Sequence, residues 1–246
     1  MKKKKTALFL ETIGYFLLVL AVLISGALLF HTFYYELIYV SGTSMAPTLS
    51  QEGDIVDFGI LDTHESAKKH LKRFDIVSSY YPTSVDYYDL SNNILRPNAK
   101  KKLKRIIAMP NETFEIKNGL LYLLKDDQFE LIEYPFETLP NNPSFIQKDT
   151  FGAITLEDDE YWLLGDNRAN SYDCASPTVK KPVKYENLAG VLVAIEGRAK
   201  LYIKHYVCSN CGKKYSTNVN TCEDCNHEVE PFYDLKDKRY HWPRYF

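Results

Sequence analysis

A single long apolar run near the N-terminus constrains this chain more than any other feature. Thr12–Phe30 holds nineteen residues without a charged side chain and follows the basic cluster Lys2–Lys5. At a rise of about 1.5 Å per residue, a helix of this length spans the roughly 30 Å hydrocarbon core of a bilayer. Because lipid offers no partner to backbone polar groups, such a segment crosses only as a helix. The sequence therefore predicts that a lipid bilayer is one partner of the chain.

Two interpretations of this run compete. It could be a cleaved leader, with the small residues Ser25, Gly26 and Ala27 as a cut site, or a retained anchor. The run is longer than the usual core of a leader, which favours the anchor. The lysines precede it, so the positive-inside rule predicts a cytoplasmic N-terminus. Everything after about Tyr34 would then lie outside a cell membrane that the chain crosses once.

Composition predicts a mainly β fold for the remainder. Tyrosine is abundant, with 19 copies, and short apolar runs alternate with turn residues. The net charge of −2 gives no general attraction to nucleic acid, so none is expected as a partner. Five short strands are predicted, at Gly53–Phe58, Arg73–Val77, Lys104–Ala108, Tyr161–Leu164 and Gly190–Ile195. Residues 61–72 are predicted to be a short basic helix or loop, and 82–100 a long loop.

The predicted organisation has three parts. Residues 1–34 form the cytoplasmic N-terminus and the anchor, and residues 35–205 form one β-rich domain. Within that domain, residues 111–155 are predicted to be an inserted hairpin region. From His205 the composition changes to Cys, Asn, Lys and Glu, so residues 206–246 are predicted to be a separate small module with a tail.

Three polar segments follow the anchor, and each alone is unremarkable chemically. Ser41–Leu49 (SGTSMAPTL) is typical of a turn, although a serine there can present its hydroxyl beside converging N–H groups. Lys104–Pro110 (KRIIAMP) begins with the last two residues of a basic run. Because successive side chains of a strand point to opposite faces, Lys104 lies on the apolar face of its strand. Burial there would lower the lysine pKa and yield a neutral general base. Gly165–Asp173 (GDNRANSYD) is a polar turn after a strand.

In this order, after one N-terminal span, the three segments together resemble the type I signal peptidases in their single-anchor, Gram-positive-type form. The resemblance covers residues 1 to about 200. It implies a mainly β fold of coiled antiparallel sheets and a serine endopeptidase with a Ser–Lys dyad. Ser44 is then the expected nucleophile and Lys104 the expected general base, with no cofactor needed for catalysis.

The resemblance also implies roles for supporting residues. Ser171 would orient the lysine amine and Asp173 would lie behind it, while the Ser44 N–H, helped by the Gly42 region, would hold the oxyanion. Three further residues in the matched segments, Met45, Arg105 and Asp166, are expected to support the site.

The sequence departs from the family pattern at two positions. The family usually has Ser-Arg after the aspartate, where this chain has Cys174 and Ala175. We expect Arg105 or Arg168 to supply the missing charge beside Asp173. Asn111 follows Pro110 where glycine is usual, and asparagine tolerates the left-handed conformation that the turn requires.

The four cysteines after His205 form a second candidate site. Cys208 and Cys211, then Cys222 and Cys225, give two C-x₂-C pairs separated by ten residues, which resembles a zinc ribbon. Gly212 and Asn226 follow the pairs and suit the positive φ of metal-binding turns. Two disulfides are the alternative, which an extracytoplasmic location favours. The spacing favours a structural Zn²⁺, with His205 and His227 as surface histidines.

The resemblance implies removal of signal peptides from secreted preproteins with small residues before the cleavage site. Two other functions compete with this one. A soluble, self-cleaving repressor-type Ser–Lys peptidase would lack the apolar run. A catalytically inactive membrane-tethered scaffold, whose zinc ribbon binds a partner, is supported only by Cys174 and Ala175. The oligomeric state, the individual preproteins and the role of the cysteine module do not follow from the sequence.

Overall fold

The computed structural model describes residues 2–80, 88–89, 94–95, 101–134, 150–176 and 179–246. The chain divides into two compact units, Met1–Glu36 and Leu37–Phe246. The first unit is almost entirely the helix α1, Lys2–Tyr34. Within it, Glu11–Leu29 has a mean hydropathy of 2.4 and is long and apolar enough to cross a membrane, the one such helix in the described parts of the chain. The predicted apolar helix is confirmed.

The second unit is mainly β, as predicted. Its helical elements are α2, at Glu65–Lys69, and two 3₁₀ turns, at Arg168–Asn170 and Tyr185–Asn187. The strands are β1 Tyr35–Tyr39, β2 Gln51–Glu52, β3 Ile55–Asp62, β4 Ile76–Ser79, β5 Tyr88–Asp89, β6 Ile94–Leu95, β7 Lys102–Ala108, β8 Thr113–Lys117, β9 Leu120–Lys125, β10 Gln128–Ile132, β11 Phe151–Thr155, β12 Glu160–Leu164, β13 Val183–Lys184, β14 Leu188–Cys208, β15 Lys214–Tyr215 and β16 Val229–Tyr245.

A curled antiparallel sheet of ten described strands carries the candidate site. Its order is β1-β3-β14-β4-β7-β12-β13, with β2 paired to β3, and β15 and β16 paired to β14. All five strands predicted from the sequence are present in it, with shifted ends. β7 lies between β4 and β12, so both of its edges are paired, and all five residues of Lys104–Ala108 are buried. Its apolar residues Ile106, Ile107 and Ala108 belong to the hydrophobic core.

A second sheet, in the order β10-β9-β8-β11, is built from the predicted 111–155 region. Asn111 at its start has a φ of 64°, the left-handed conformation expected of it. Phe114 and Phe151 pack against Trp162 of β12, with ring centroids 5.3 and 5.5 Å apart, so the insertion shares a core with the main sheet. α2 lies within the predicted 61–72 segment, while most of the 82–100 segment lies outside the described residues.

Two long strands join the predicted 206–246 module to the main sheet. β14 runs 21 residues without a break from the sheet centre to Cys208, and β16 returns along it, pairing Val229 with Cys208 and Tyr245 with Ala194. Gly197 permits a close crossing, because a Cβ there would lie 2.3 Å from the Arg239 carbonyl oxygen. The cysteines therefore lie at the far end of a hairpin that is continuous with the sheet.

Candidate active site

The loop between β1 and β2 presents Ser44. Its entry uses Gly42 at a φ of +88°, a conformation that disfavours other residues, and the Gly42 N–H donates to the Gln51 side chain. Met45 and Leu49 are buried, and the Leu49 N–H donates to the Met45 carbonyl oxygen at 2.9 Å. This apolar floor fixes the turn and leaves the Ser44 side chain partly exposed above it.

Lys104 on β7 meets this serine. Its Nζ lies 2.8 Å from Ser44 Oγ, although sixty positions of sequence separate the two residues. The amine also donates to the Leu103 carbonyl oxygen at 2.9 Å, which fixes its direction. Lys104 is only 2% exposed. The expected nucleophile and base are therefore within hydrogen-bonding distance, and bulk water is largely excluded from the amine.

Burial gives this amine unusual acid–base chemistry. Desolvation of the ammonium form is the largest influence on Lys104 and lowers its pKa to about 8, against a smaller opposing effect of Asp173. The neighbouring positive charge of Lys102 lowers the pKa further. A lysine that is partly neutral near pH 8 can accept a proton from a hydroxyl, which an ordinary surface lysine cannot.

The third polar segment holds the loop of Ser44 by its backbone. The Asn167 N–H donates to the Ser44 carbonyl oxygen at 3.0 Å, and its side-chain amide donates to the Thr43 carbonyl oxygen at 3.0 Å. Asn170 donates to the Thr43 hydroxyl at 2.8 Å. Gly165 passes so close that a Cβ there would lie 2.4 Å from the Ser44 carbonyl oxygen. These contacts explain why a polar turn after β12 belongs to the site.

Two buried ion pairs stand behind the site. Arg168 donates to the Asp173 carboxylate, which also accepts the Gly165 N–H at 3.0 Å. Burial is the largest single influence on Asp173 and would raise its pKa, but the Arg168 charge together with the hydrogen bonds that the carboxylate accepts holds the pKa below its ordinary value. Of the two arginines expected to supply the charge beside Asp173, Arg168 makes the contact.

Arg105 binds a different carboxylate. Its Nε and Nη2 donate to Asp166 at 2.8 and 2.6 Å, a bidentate pair that is as deeply buried as the first. Asp166 also accepts the Thr48 hydroxyl. Since Arg105 follows Lys104 and Thr48 lies four residues after Ser44, this network links the strand of the amine to the loop of the serine.

Ser171 and Cys174 occupy buried positions near the pair. The Ser171 hydroxyl helps to lower the pKa of Asp173, and the amine of Lys104 donates to Ser44 and Leu103 instead. The expected contact between Ser171 and the amine is therefore not made in this conformation. Cys174 is fully buried and accepts the Leu163 N–H at 3.4 Å, and burial raises its thiol pKa. It is a core residue.

Sequence reasoning missed three residues that this site uses, namely Thr48, Asn167 and Asn170. All lie inside the quoted segments, but their types are common in turns. The only available signal was the density of polar residues in Gly165–Asp173. These three side chains bind backbone groups that the pairing of distant strands brings near them. A local sequence pattern carries no information about that pairing.

The four cysteines form a compact cluster at the far end of the β14–β16 hairpin. All four Sγ atoms lie within 4.8 Å of one another. Cys208 lies 3.4 Å from Cys225, and Cys211 lies 3.6 Å from Cys222. These separations exceed a disulfide bond of about 2.05 Å and are close to the roughly 3.8 Å between sulfurs around a tetrahedral zinc.

The turns of the cluster have the geometry expected of metal-binding turns. Gly212 and Asn226 have φ values of 74° and 58°, and their N–H groups donate to the carbonyl oxygens of Cys208 and Cys222. The Tyr215 hydroxyl donates to Cys222 at 3.2 Å and lowers its thiol pKa to about 6. The donor set therefore fits one tetrahedral Zn²⁺.

The two spare histidines are occupied elsewhere. His205 stacks on Phe232 with ring centroids 4.6 Å apart. His227 approaches the Cys225 carbonyl oxygen at 2.7 Å through its Nδ1. Neither belongs to the group of side chains that could share the ion. Four cysteines and no open position would make the site structural in kind.

Comparison with protein families gives one match over most of the chain. The family model described as signal peptidase, peptidase S26, matches residues 10–195. The match includes all three polar segments and ends before the cysteine cluster.

Individual relatives have similar descriptions. Signal peptidase I T of Bacillus subtilis is 31% identical over 177 residues, which cover 70% of this chain and 77% of the relative. A probable signal peptidase I-1 of Synechocystis is 31% identical over 150 residues, 60% of this chain and 65% of its own length. A signal peptidase I of Bacillus amyloliquefaciens is 31% identical over 80 residues, 32% of this chain and 43% of the relative. A solved signal peptidase I from Enterococcus faecalis has a TM-score of 0.34 at 23% identity, covering 50% of this chain and 96% of that one.

Proposed function

Since this chain belongs to the signal peptidase family, peptidase S26, we propose that it is a membrane-bound serine endopeptidase that removes signal peptides from secreted preproteins. The single observation that carries the proposal is the 2.8 Å contact between Ser44 Oγ and a buried Lys104 amine with a pKa near 8. The same premise supports residues 35–205 as the peptidase domain and small residues before the cleavage site as the substrate signature.

The proposed first step is attack by Ser44. Neutral Lys104 accepts the hydroxyl proton as the Ser44 oxygen bonds to the scissile carbonyl carbon. The resulting tetrahedral intermediate carries its negative charge on the former carbonyl oxygen. The ammonium of Lys104 then gives the proton to the leaving amine, the C–N bond breaks, and an acyl-enzyme ester at Ser44 remains.

The intermediate needs a donor for its oxyanion. We assign this role to the Ser44 N–H, which finds no acceptor among the described residues, with help from the turn at Gly42. In the second half of the reaction Lys104 takes a proton from water as the water oxygen bonds to the ester carbon. The bond between that carbon and the Ser44 oxygen then breaks, and the Lys104 ammonium returns the proton to the Ser44 oxygen. Arg105, Asp166 and Asp173 hold Ser44 and Lys104 in their relative positions. The Ser171 hydroxyl is proposed to accept a hydrogen bond from the Lys104 ammonium and to donate one to the neutral amine.

Paired substitutions test the roles of Ser44 and Lys104. The full-length protein in detergent is incubated with a preprotein, and separately with an acylating active-site probe. Ser44→Ala and Lys104→Ala should each lower the cleavage rate by about 10³-fold or more, as removing a nucleophile or base does in serine peptidases. Ser41→Ala and Lys101→Ala are the matched controls, because both are exposed neighbours outside the pair.

These controls also separate the proposal from an inactive scaffold. Ser41→Ala and Lys101→Ala should cleave like the wild type and acylate at Ser44. Normal cleavage by Ser44→Ala or Lys104→Ala would end the assignment. A wild-type chain that neither cleaves the preprotein nor reacts with the probe would instead favour the scaffold.

We propose that α1 remains as an anchor, with residues 1–34 forming the cytoplasmic N-terminus and the span, and with the β unit outside the cytoplasm. The uncharged run and the lysines before it support this orientation. External protease should degrade the β unit in intact cells as well as in lysed cells, which serve as the control. A β unit protected until lysis would reverse the orientation.

We also propose that residues 206–246 contain a structural zinc site at Cys208, Cys211, Cys222 and Cys225. The sulfur separations and the two positive-φ turns support it. Zinc would cross-link two short turns that have few apolar residues, and its binding would supply the free energy that keeps them folded. Metal analysis combined with thiol counting on the purified protein should give one zinc per chain and thiols that react fully only after chelation and unfolding. Two disulfides and no metal would contradict the site.

A further inference from the structure

The last strand of the chain reaches the loop of the candidate nucleophile. This C-terminal arm, residues 229–246, comprises β16 and Phe246 and lies outside the residues that match the family. Near its end Arg244 pairs with Ile195 of β14, and the Phe246 N–H donates to the Val193 carbonyl oxygen at 3.1 Å. Earlier in the arm, Tyr240 packs edge-on against the buried Phe58 ring, with centroids 5.2 Å apart.

Arg244 uses both ends of its guanidinium. Nη1 donates to the Thr48 carbonyl oxygen at 3.2 Å, and Nη2 donates to Asp57 at 3.0 Å. Asp57 is almost completely buried and also accepts the Ser50 N–H at 3.0 Å. One side chain from the arm therefore ties the end of the Ser44 loop to a buried carboxylate of β3.

Thr48 is consequently held from two sides. Its hydroxyl donates to Asp166, which is paired with Arg105 beside the lysine, and its carbonyl oxygen accepts from Arg244. The loop between Ser44 and Ser50 has only a short turn to absorb movement of Thr48. A shift there would change the 2.8 Å approach of Ser44 to Lys104, and misplacement by about 1 Å is enough to slow a reaction strongly.

We propose that Arg244 is a positioning residue, through which the C-terminal arm holds the nucleophile loop in its reactive geometry. This inference rests on the proposed peptidase function. Arg244 does not touch Ser44 or Lys104, so its loss should lower the rate of acylation and leave substrate binding intact. It is also absent from the charges that shift the Lys104 pKa, which are Asp173, Lys102, Arg168 and Asp166. The pH dependence of cleavage should therefore stay in place.

The test compares variants of the full-length protein in detergent. Arg244→Ala should lower kcat and the rate of Ser44 acylation by the probe roughly tenfold, with KM and the acid limb of the pH profile unchanged. Arg244→Lys keeps one charged donor group but cannot bridge the Thr48 carbonyl oxygen and Asp57 as the guanidinium does, so it should recover part of the rate. Arg239→Ala is the matched control, because Arg239 is exposed on the same strand, opposite Arg198, away from the loop.

The outcomes separate the inference from its premise. Wild-type kcat in Arg244→Ala would overturn the inference alone, as would a raised KM with unchanged kcat or an equal loss in Arg239→Ala. A wild-type chain that neither cleaves nor acylates would overturn the proposed function and the inference with it. If Arg244→Ala does not fold, Arg244→Gln, which keeps one amide donor on a shorter side chain without the charge, decides by the same kinetic measurements.

Discussion

The candidate peptidase site and the cysteine cluster are assembled in opposite ways. Ser44 and Lys104 lie sixty positions apart, and Thr48 meets Asp166 across 118 positions, so strand pairing throughout the sheet brings these groups together. The four cysteines fall within eighteen positions, on two short turns. The first site is backed by two buried ion pairs, and the second has one exposed cysteine and a small apolar core.

This difference shows what each site depends on. A site made by distant strands is stable only while the whole sheet is folded, and its charges are stabilised by protein partners. A site made by local turns depends on the ion or covalent bond that closes it, because little apolar area is buried there. Perturbing the sheet should therefore disable the first site, whereas removing a metal should disturb mainly the second.

Breaking a buried ion pair should have the largest effect on the first site. Arg168→Ala leaves the fully buried Asp173 carboxylate without its cation, and the free energy of unfolding should fall by about 3–5 kcal/mol. Chemical denaturation of the full-length protein measures this. Lys125→Ala is the control, because its pair with Glu130 is exposed on both sides and should be worth less than about 1 kcal/mol.

Equal stability losses in the two variants would show that the buried pair does not support the site. Removing both charges, with Arg168→Met and Asp173→Leu together, should recover part of the loss, since an apolar pair leaves no uncompensated carboxylate. The zinc content of all three variants should match the wild type.

Crowding the contact between the two polar loops should have the next largest effect. In Gly165→Ala the new Cβ would lie 2.4 Å from both the Ser44 carbonyl oxygen and the Ser171 hydroxyl, so the serine loop must shift. We expect preprotein cleavage to fall by about 10²-fold. Gly152→Ala is the matched control, because nothing lies within 4 Å of its Cβ, and it should cleave normally. Normal cleavage by Gly165→Ala would contradict the close packing.

The two sites were also unequally predictable from the sequence. The cysteine cluster, including the positive φ of Gly212 and Asn226, followed from spacing and residue type, because the interactions that build it are local. The apolar helix and the mainly β fold followed from hydrophobic patterning. Ser44 and Lys104 were chosen only by resemblance to a family, since each segment alone is typical of an ordinary turn or basic run.

What could not be predicted depends on register. Arg105 and Arg168 were equal candidates for Asp173, and only the pairing of β7 with β12 directs Arg105 to Asp166 instead. The length of β14 and the return of β16 were likewise missed. Val229–Tyr245 mixes charged, aromatic and proline residues without clear alternation, because most of this strand is open to solvent on both faces.

Acidification should produce a graded effect that distinguishes a buried lysine base. With a Lys104 pKa lowered to about 8, the neutral amine becomes scarcer below that pH, so cleavage should fall about tenfold per pH unit. Removing a nearby positive charge with Lys102→Ala should raise the Lys104 pKa and move this acid limb to higher pH. Lys101→Ala serves as the control and should leave it in place. A flat rate from pH 8 to pH 6 would exclude the amine as base.

Metal removal should have the smallest effect on cleavage, and this result separates the two sites most directly. Thirteen positions of β14 separate Cys208 from Ile195, the partner of Arg244, which is roughly 40 Å of extended strand. β16 pairs with β14 along that distance, so loosened turns at the far end should leave Arg244 in contact with Thr48. After chelation, amide exchange should accelerate between residues 208 and 229, while cleavage changes less than twofold. A collapse of cleavage that added zinc reverses would show instead that the hairpin transmits the state of the cluster to the nucleophile loop.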